Sequence, residues 1–339
     1  MRVPGARRLR RSARAAPEHE LPRLTDEDRR YLTTLHDDSV PLPAGAEATL
    51  SEANPRLAGL RERYERTDVP ARLSSRWSEE SVGSFLDLRF FRGETLITWH
   101  YRELPRITRL KYFIYARAVA ERDSLGLLSR LEEDGAFGCW TFEYPGLGVI
   151  SRDLLESVNE ISFLERTLDL SRRERFSVLD VGAGYGRLGH RMTAAYPRLG
   201  DYCCVDAIPE CTFLSDYYLG HRGRTPPARV VALDRMDEEL APGDFDLAVN
   251  VHSFSECTLA AVEWWVQRLS ALRVPKVMII PNEPEGLLTL EPDGSRRDFA
   301  PLLAGAGYVL THREPVLADP AVRQLLELGD HFHLFSLEG

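Results

Sequence analysis

Val178-Leu179-Asp180-Val181-Gly182-Ala183-Gly184-Tyr185-Gly186-Arg187 is the stretch on which the fold turns. A β-prone apolar run ends in three alternate glycines, and a helix-forming run opens directly behind them. Residues without a Cβ let the chain turn tightly and let a ligand approach the backbone. A dinucleotide fingerprint needs its third glycine one residue later, where this chain has Arg187. No lysine follows in the place that cradles a diphosphate, which excludes a P-loop.

Outward from this turn, residues 171–339 alternate short apolar runs with helical stretches, the pattern of a parallel α/β sheet. The spacing predicts strands over 175–181, 202–206, 229–233, 245–251, 276–280, 308–312 and 331–337. Helices are predicted over 187–196, 209–219, 258–272, 297–304 and 321–328. Ligands of such sheets bind at the carboxyl ends of the strands, near the switch point. Residues 25–170 read as a mostly helical lid and acceptor-binding region, and residues 1–24 as a disordered basic tail.

The composition is that of a soluble globular protein, 43% hydrophobic and 28% charged, and 339 residues allow a large core. A net charge of -9 argues against a nucleic-acid surface. No apolar run approaches the ~18 residues of a membrane span, and no apolar segment follows the Arg-rich start, so no secretory signal is expected. Five cysteines without metal-ligand spacing fit a reduced, cytoplasmic setting.

Candidate chemistry sits just behind the predicted strands. Asp206 ends the second, about twenty residues past the last glycine. Its carboxylate can accept both hydroxyls of a ribose, and it can equally cap the following helix. Behind the fourth strand lies Asn250-Val251-His252-Ser253-Phe254-Ser255-Glu256. An alcohol needs its proton removed as it attacks, and His252 and Glu256 are the candidate bases. The loop Pro281-Asn282-Glu283-Pro284-Glu285 either carries acids to the pocket, where with Glu256 they could bind a divalent ion, or is simply solvated. His331 and His333 share one face of the last strand. Aromatic residues crowd the region before the sheet: Trp77, Phe85, Phe90, Phe91, Trp99, Tyr101, Tyr112, Phe113, Tyr115, Phe137, Trp140, Phe142 and Tyr144. Most are expected in the core and a minority in a pocket, with His100, Glu103 and Glu143 as polar residues among them.

The glycine turn resembles motif I of the class I S-adenosylmethionine (SAM)-dependent methyltransferases. The chain is also similar to the bacterial sugar O-methyltransferase family. That likeness rests on Gly182 to Leu188, Tyr217-Tyr218-Leu219, the Asn250 to Glu256 stretch, Phe91-Arg92 and Ser151-Arg152-Asp153-Leu154-Leu155, and it covers about residues 75–339. Departures are Ala207-Ile208 where Leu-Pro is expected, and Cys257 where methionine is expected. The resemblance implies a Rossmann-like seven-stranded class I methyltransferase sheet whose final strand inserts antiparallel. It implies SAM over Asp180, Gly182, Ala183, Gly184 and Gly186, with the ribose on Asp206 beside Ala207. Adenine is implied near Asp234, which alone reads as a turn acid, and Asn250 is implied among the cofactor contacts. The expected activity is O-methylation of a sugar or glycosylated natural product, with a divalent metal not predicted, and with metal dependence and self-association left open. A non-sugar acceptor, a SAM-binding scaffold without turnover, and non-methylating use of SAM are the alternatives.

Overall fold

The computed structural model describes residues 40–73, 76–77, 82–83, 86–93, 105–282 and 286–338. The basic start of the chain, Phe85, Trp99, His100, Tyr101, Glu103, Glu283, Pro284 and Glu285 lie outside these residues.

Ahead of the main sheet come helices α1 (Pro55–Glu65) and α2 (Pro105–Ala120), a hairpin of β1 (Thr141–Tyr144) and β2 (Gly148–Ser151), and helix α3 (Arg152–Leu168). The hairpin is the strand element in a region read as mostly helical: its four-residue strands are too short to show a period. Helix α3 starts where Ser151 accepts the amide of Leu154, and its Leu154, Leu155, Val158 and Ile161 face inward at helical spacing.

Seven strands then form one sheet: β3 (Phe176–Val181), β4 (Leu199–Asp206), β5 (Ala228–Ala232), β6 (Leu247–His252), β7 (Lys276–Pro281), β8 (Tyr308–Pro315) and β9 (His331–Leu337). Between them run α4 (Arg187–Ala195), α5 (Pro209–His221), α6 (Leu259–Ala271), α7 (Ala300–Gly305) and α8 (Pro320–Leu326). The strand order is β5-β4-β3-β6-β7-β9-β8. The first five strands pair in parallel, while β9 runs antiparallel to both β7 and β8. This is a Rossmann-like seven-stranded sheet with β9 inserted antiparallel, the arrangement the sequence led us to expect.

Alternation along each strand feeds two cores. Leu179, Cys203, Ala248 and Ile279 point to one face, and Val178, Cys204, Val249 and Met278 to the other. Each core also draws on residues before 171: Leu57, Leu60, Tyr64 and Phe137 join the first, and Tyr112, Trp140 and Leu154 the second. Helix α7 begins three residues later than expected. Arg297 and Asp298 close a loop instead, through Thr289 N–H on Arg297 O (2.9 Å) and Ala300 N–H on Asp298 (2.9 Å). Among the described residues, no helix is long and apolar enough to cross a membrane.

Candidate functional site

The glycine turn follows β3 at the switch point, where β4 and β6 lie on either side of β3. Gly182, Gly184 and Gly186 have φ of 73°, 58° and 83°, the left-handed region that glycine enters freely. Gly182 and Ala183 donate their amides to Val205 O (2.9 and 3.3 Å), which ties the turn to β4. A Cβ on Gly182 would stand 2.3 Å from Ser253 Oγ, so the turn and the loop after β6 touch here. A Cβ on Gly184 would meet nothing within 4 Å.

Asp206 joins the turn to the next helix. Its carboxylate accepts Gly184 N–H and Ile208 N–H, both at 2.9 Å. Burial pushes its pKa up to about 7, against the pull of those backbone amides. Beside it opens a cleft of about 530 Å³, lined by Tyr64, Arg61, Trp77, Leu88, Ala207 and Ile208 among others. Asp234, behind β5, has one carboxylate oxygen against Arg63 (3.2 Å); the other is buried without a hydrogen-bond partner.

Asp180 lies on the opposite face of β3 from Leu179. It is buried, accepts the Tyr202 hydroxyl at 2.8 Å, and is pushed up to about 7 by burial. Near it stands Arg187, which grips Glu160 with two nitrogens (2.8 and 3.0 Å), and near Arg187 in turn is the Arg152–Glu156 pair (2.6 Å). Glu156 and Glu160 are one helical turn apart and share a face of α3. Burial raises both carboxyls. For Glu156 the nearby Arg152, Arg187 and His252 reverse this to a net lowering, whereas Glu160 stays raised.

His252 ends β6 with φ 65° and ψ -32°, a sparsely populated backbone conformation of the kind that clusters at functional sites. With Glu156, Asn282 and Asp330 it lines a smaller cavity of about 90 Å³. Its Nε2 is 3.6 Å from Asp330 Oδ2. Burial disfavours the imidazolium, but Asp330 outweighs it and the pKa is raised.

The expected residues therefore divide into two groups. Ala207 lines the larger cleft, next in sequence to Asp206 with its bond from Gly184 N–H, and His252 belongs to the smaller cavity. Glu256 is buried and accepts the indole N–H of Trp77 (2.6 Å), a residue of the larger cleft. Asn250 spends its amide on bracing: it donates to Val181 O (2.8 Å) and accepts Phe254 N–H (3.1 Å), with 1% of its surface exposed. His331 and His333 line neither cavity, and burial lowers both, His333 to about 4. Of the described aromatics, Phe91, Tyr112, Phe137, Trp140 and Phe142 are core, while Trp77 and Tyr115 reach a cavity; Glu143 is exposed. Among the described residues, no group of three or more His, Cys, Asp or Glu could hold a metal. Sequence reasoning missed Tyr64, Glu156, Glu160 and Asp330. The i,i+4 glutamates were the one signal within reach, since the others meet the site only through long-range packing.

The sequence matches no family model and no curated protein. Solved structures similar to the chain include a SAM-dependent methyltransferase from Clostridium acetobutylicum, at 12% identity over 54% of this chain and 91% of that one, with a TM-score of 0.40. A geranyl diphosphate methyltransferase in complex with SAM aligns at 13% identity over 55% and 86%, TM-score 0.39. The 4+2 cyclase SpnF aligns at 13% over 65% and 93%, TM-score 0.42.

Proposed function

We propose that this chain holds SAM across the carboxyl ends of β3, β4 and β5 and transfers its methyl group to a hydroxyl of a small acceptor. The acceptor class in this reading is a sugar or glycosylated natural product. The observation that carries it is the meeting of Gly184, Asp206 and a cleft of about 530 Å³ at one corner of the sheet. That volume lies in the range of small-molecule and cofactor sites, roughly 300–1,000 Å³.

The residues suit the cofactor. The space beyond Gly184 is open, and Asp206 offers a carboxylate to a ribose. The unpartnered oxygen of Asp234 is an acceptor suited to an exocyclic amine. When bound, SAM supplies an electrophilic methyl group. The chain's own task is to position the acceptor and remove its proton, and His252 is the base in this reading, with Asp330 stabilising the imidazolium. Glu256 is committed to Trp77 and keeps that indole at the cleft, where an aromatic face suits a sugar ring.

Calorimetric titration with SAM tests the cofactor site. Asp206→Ala weakens binding on the order of 30-fold, the loss of a charge-assisted contact to two hydroxyls. Unchanged affinity removes Asp206 from the ribose.

The same carboxyl makes binding pH-dependent. A group with a pKa of about 7 in the free protein must ionise to accept both hydroxyls. Affinity is therefore flat above pH ~8 and falls as pH drops below ~7, approaching tenfold per unit. A flat profile from pH 5 to 8 rejects that linkage.

The small size of the cavity beside His252 favours one second reading, a protein that binds SAM without turnover. Release of S-adenosylhomocysteine in the presence of an acceptor panel separates the two.

A further inference from the structure

At the corner where β4 and β5 end, behind the wall of the cleft, the phenol of Tyr64 from α1 sits against the backbone of Asp206 and Leu233. Tyr64 is 0% exposed. Its hydroxyl accepts Leu233 N–H at 2.9 Å and lies 2.8 Å from Thr212 Oγ1 and 3.2 Å from Asp206 O. The next residue after Leu233 is Asp234, whose Oδ1 is buried and unpartnered and whose Oδ2 meets Arg63, also from α1. Leu233 N–H and Asp234 Oδ1 are thus a donor and an acceptor on consecutive residues. A 6-aminopurine presents the complementary edge, a ring-nitrogen acceptor beside an exocyclic amino donor. The Tyr64 oxygen stands where that ring nitrogen would, and Arg63 holds the other carboxylate oxygen of Asp234.

Helix α1 is held over this corner by three arginines. Arg56 pairs with Asp216, Arg61 with Glu210 and Glu52, and Arg63 with Asp234. The Arg56 and Arg63 side chains are 62% and 47% exposed, so their contacts are weak and easily exchanged, while Arg61 reaches the nearly buried Glu210. Leu57 and Leu60 supply the apolar footing.

We propose that α1 is a latch on the cofactor site, with Tyr64 as its pin: the free protein caps Leu233 N–H with the phenol, and a bound adenosyl group displaces that contact and loosens α1. The inference rests on the SAM reading and adds to it a built-in competitor for the purine corner. A contact present only in the free state lowers affinity, because a ligand must first break it.

The test is titration of the full chain with S-adenosylhomocysteine, alongside hydrogen exchange of the amides of residues 55–66. Tyr64→Phe removes the pin while keeping the ring, and it tightens binding several-fold, on the order of tenfold. Arg63→Gln frees Asp234 without touching the core, tightens binding in the same direction, and carries the test should Tyr64→Phe fold poorly. In the wild type, ligand speeds exchange along α1. Unchanged or weaker binding in both variants, or slower exchange along α1, overturns the latch while leaving the cofactor site standing. Absence of binding by the wild type and both variants overturns the SAM reading, and the latch with it.

Discussion

Replacing Arg92 with methionine lowers the stability of the fold by about 3–5 kcal/mol, the loss expected when one partner of a buried ion pair is removed. The guanidinium is 0% exposed. It donates two bonds to Glu133 (2.8 and 2.9 Å), one to Asp153 (2.9 Å) and one to Ala136 O (3.1 Å), and it lies 5.7 Å from the Tyr218 ring. Glu133 is equally buried and keeps Arg191, Ser151 and the backbone N–H groups of Asp134 and Gly135 once Arg92 is gone. Burial pushes its carboxyl up, but Arg92 and Arg191 hold it down at about 2.

The sign of the pH effect follows. A folded pKa below the unfolded value of ~4.3 adds stability above that pH, and this is lost as pH falls through about 2. The deficit of the variant is thus largest near neutrality and shrinks in acid. Urea unfolding at pH 7 and pH 3 measures both, with a changed midpoint at constant slope. A loss under ~1 kcal/mol at pH 7 would show that water already reaches the cluster. Asp153 also accepts the hydroxyl of Tyr185 in the glycine turn, so the cluster anchors the turn as well as the N-terminal segment.

His252→Asn is expected to slow methyl transfer about 10²- to 10⁴-fold while leaving SAM affinity within twofold. Asparagine tolerates positive φ better than most residues, so the variant removes the base with little added backbone strain. Because Asp330 raises the pKa of His252 above its ordinary value, wild-type turnover falls as pH drops through a value above ~6.5. Asp330→Asn moves that limb to lower pH. Initial rates from pH 5 to 9, with the acceptor picked by a sugar panel, measure both effects. Wild-type turnover in His252→Asn would remove His252 as the base.

The sheet was legible because its inner strands are buried on both faces and bounded by turns: β9 falls at the expected residues, and β3 within one. The antiparallel last strand came from the resemblance rather than from periodicity. Strand β4 starts at Leu199, three residues before the apolar run, because pairing with Phe176 extends it through Gly200 and Asp201. Within the site, the glycine turn and Asp206 declared themselves through local spacing. The contact between Tyr64 and Leu233 spans 169 residues and has no local signature. The same holds for Asp330, a loop residue brought beside His252 by the insertion of β9. Asn250, which the resemblance puts among the cofactor contacts, lies within β6, and its side-chain amide donates to Val181 O of β3, a contact with no local signature.

The placement of β9 between β7 and β8 also bears on how the chain is made. Synthesis delivers β8 before the strand that joins it to the sheet, since β8 pairs with β9 and not with β7. Until residue 337 has left the ribosome, the nascent protein therefore carries β7 as an open edge and β8 as an unpaired strand. Slow translation of the last segment prolongs that interval, and chaperone demand during expression should concentrate there.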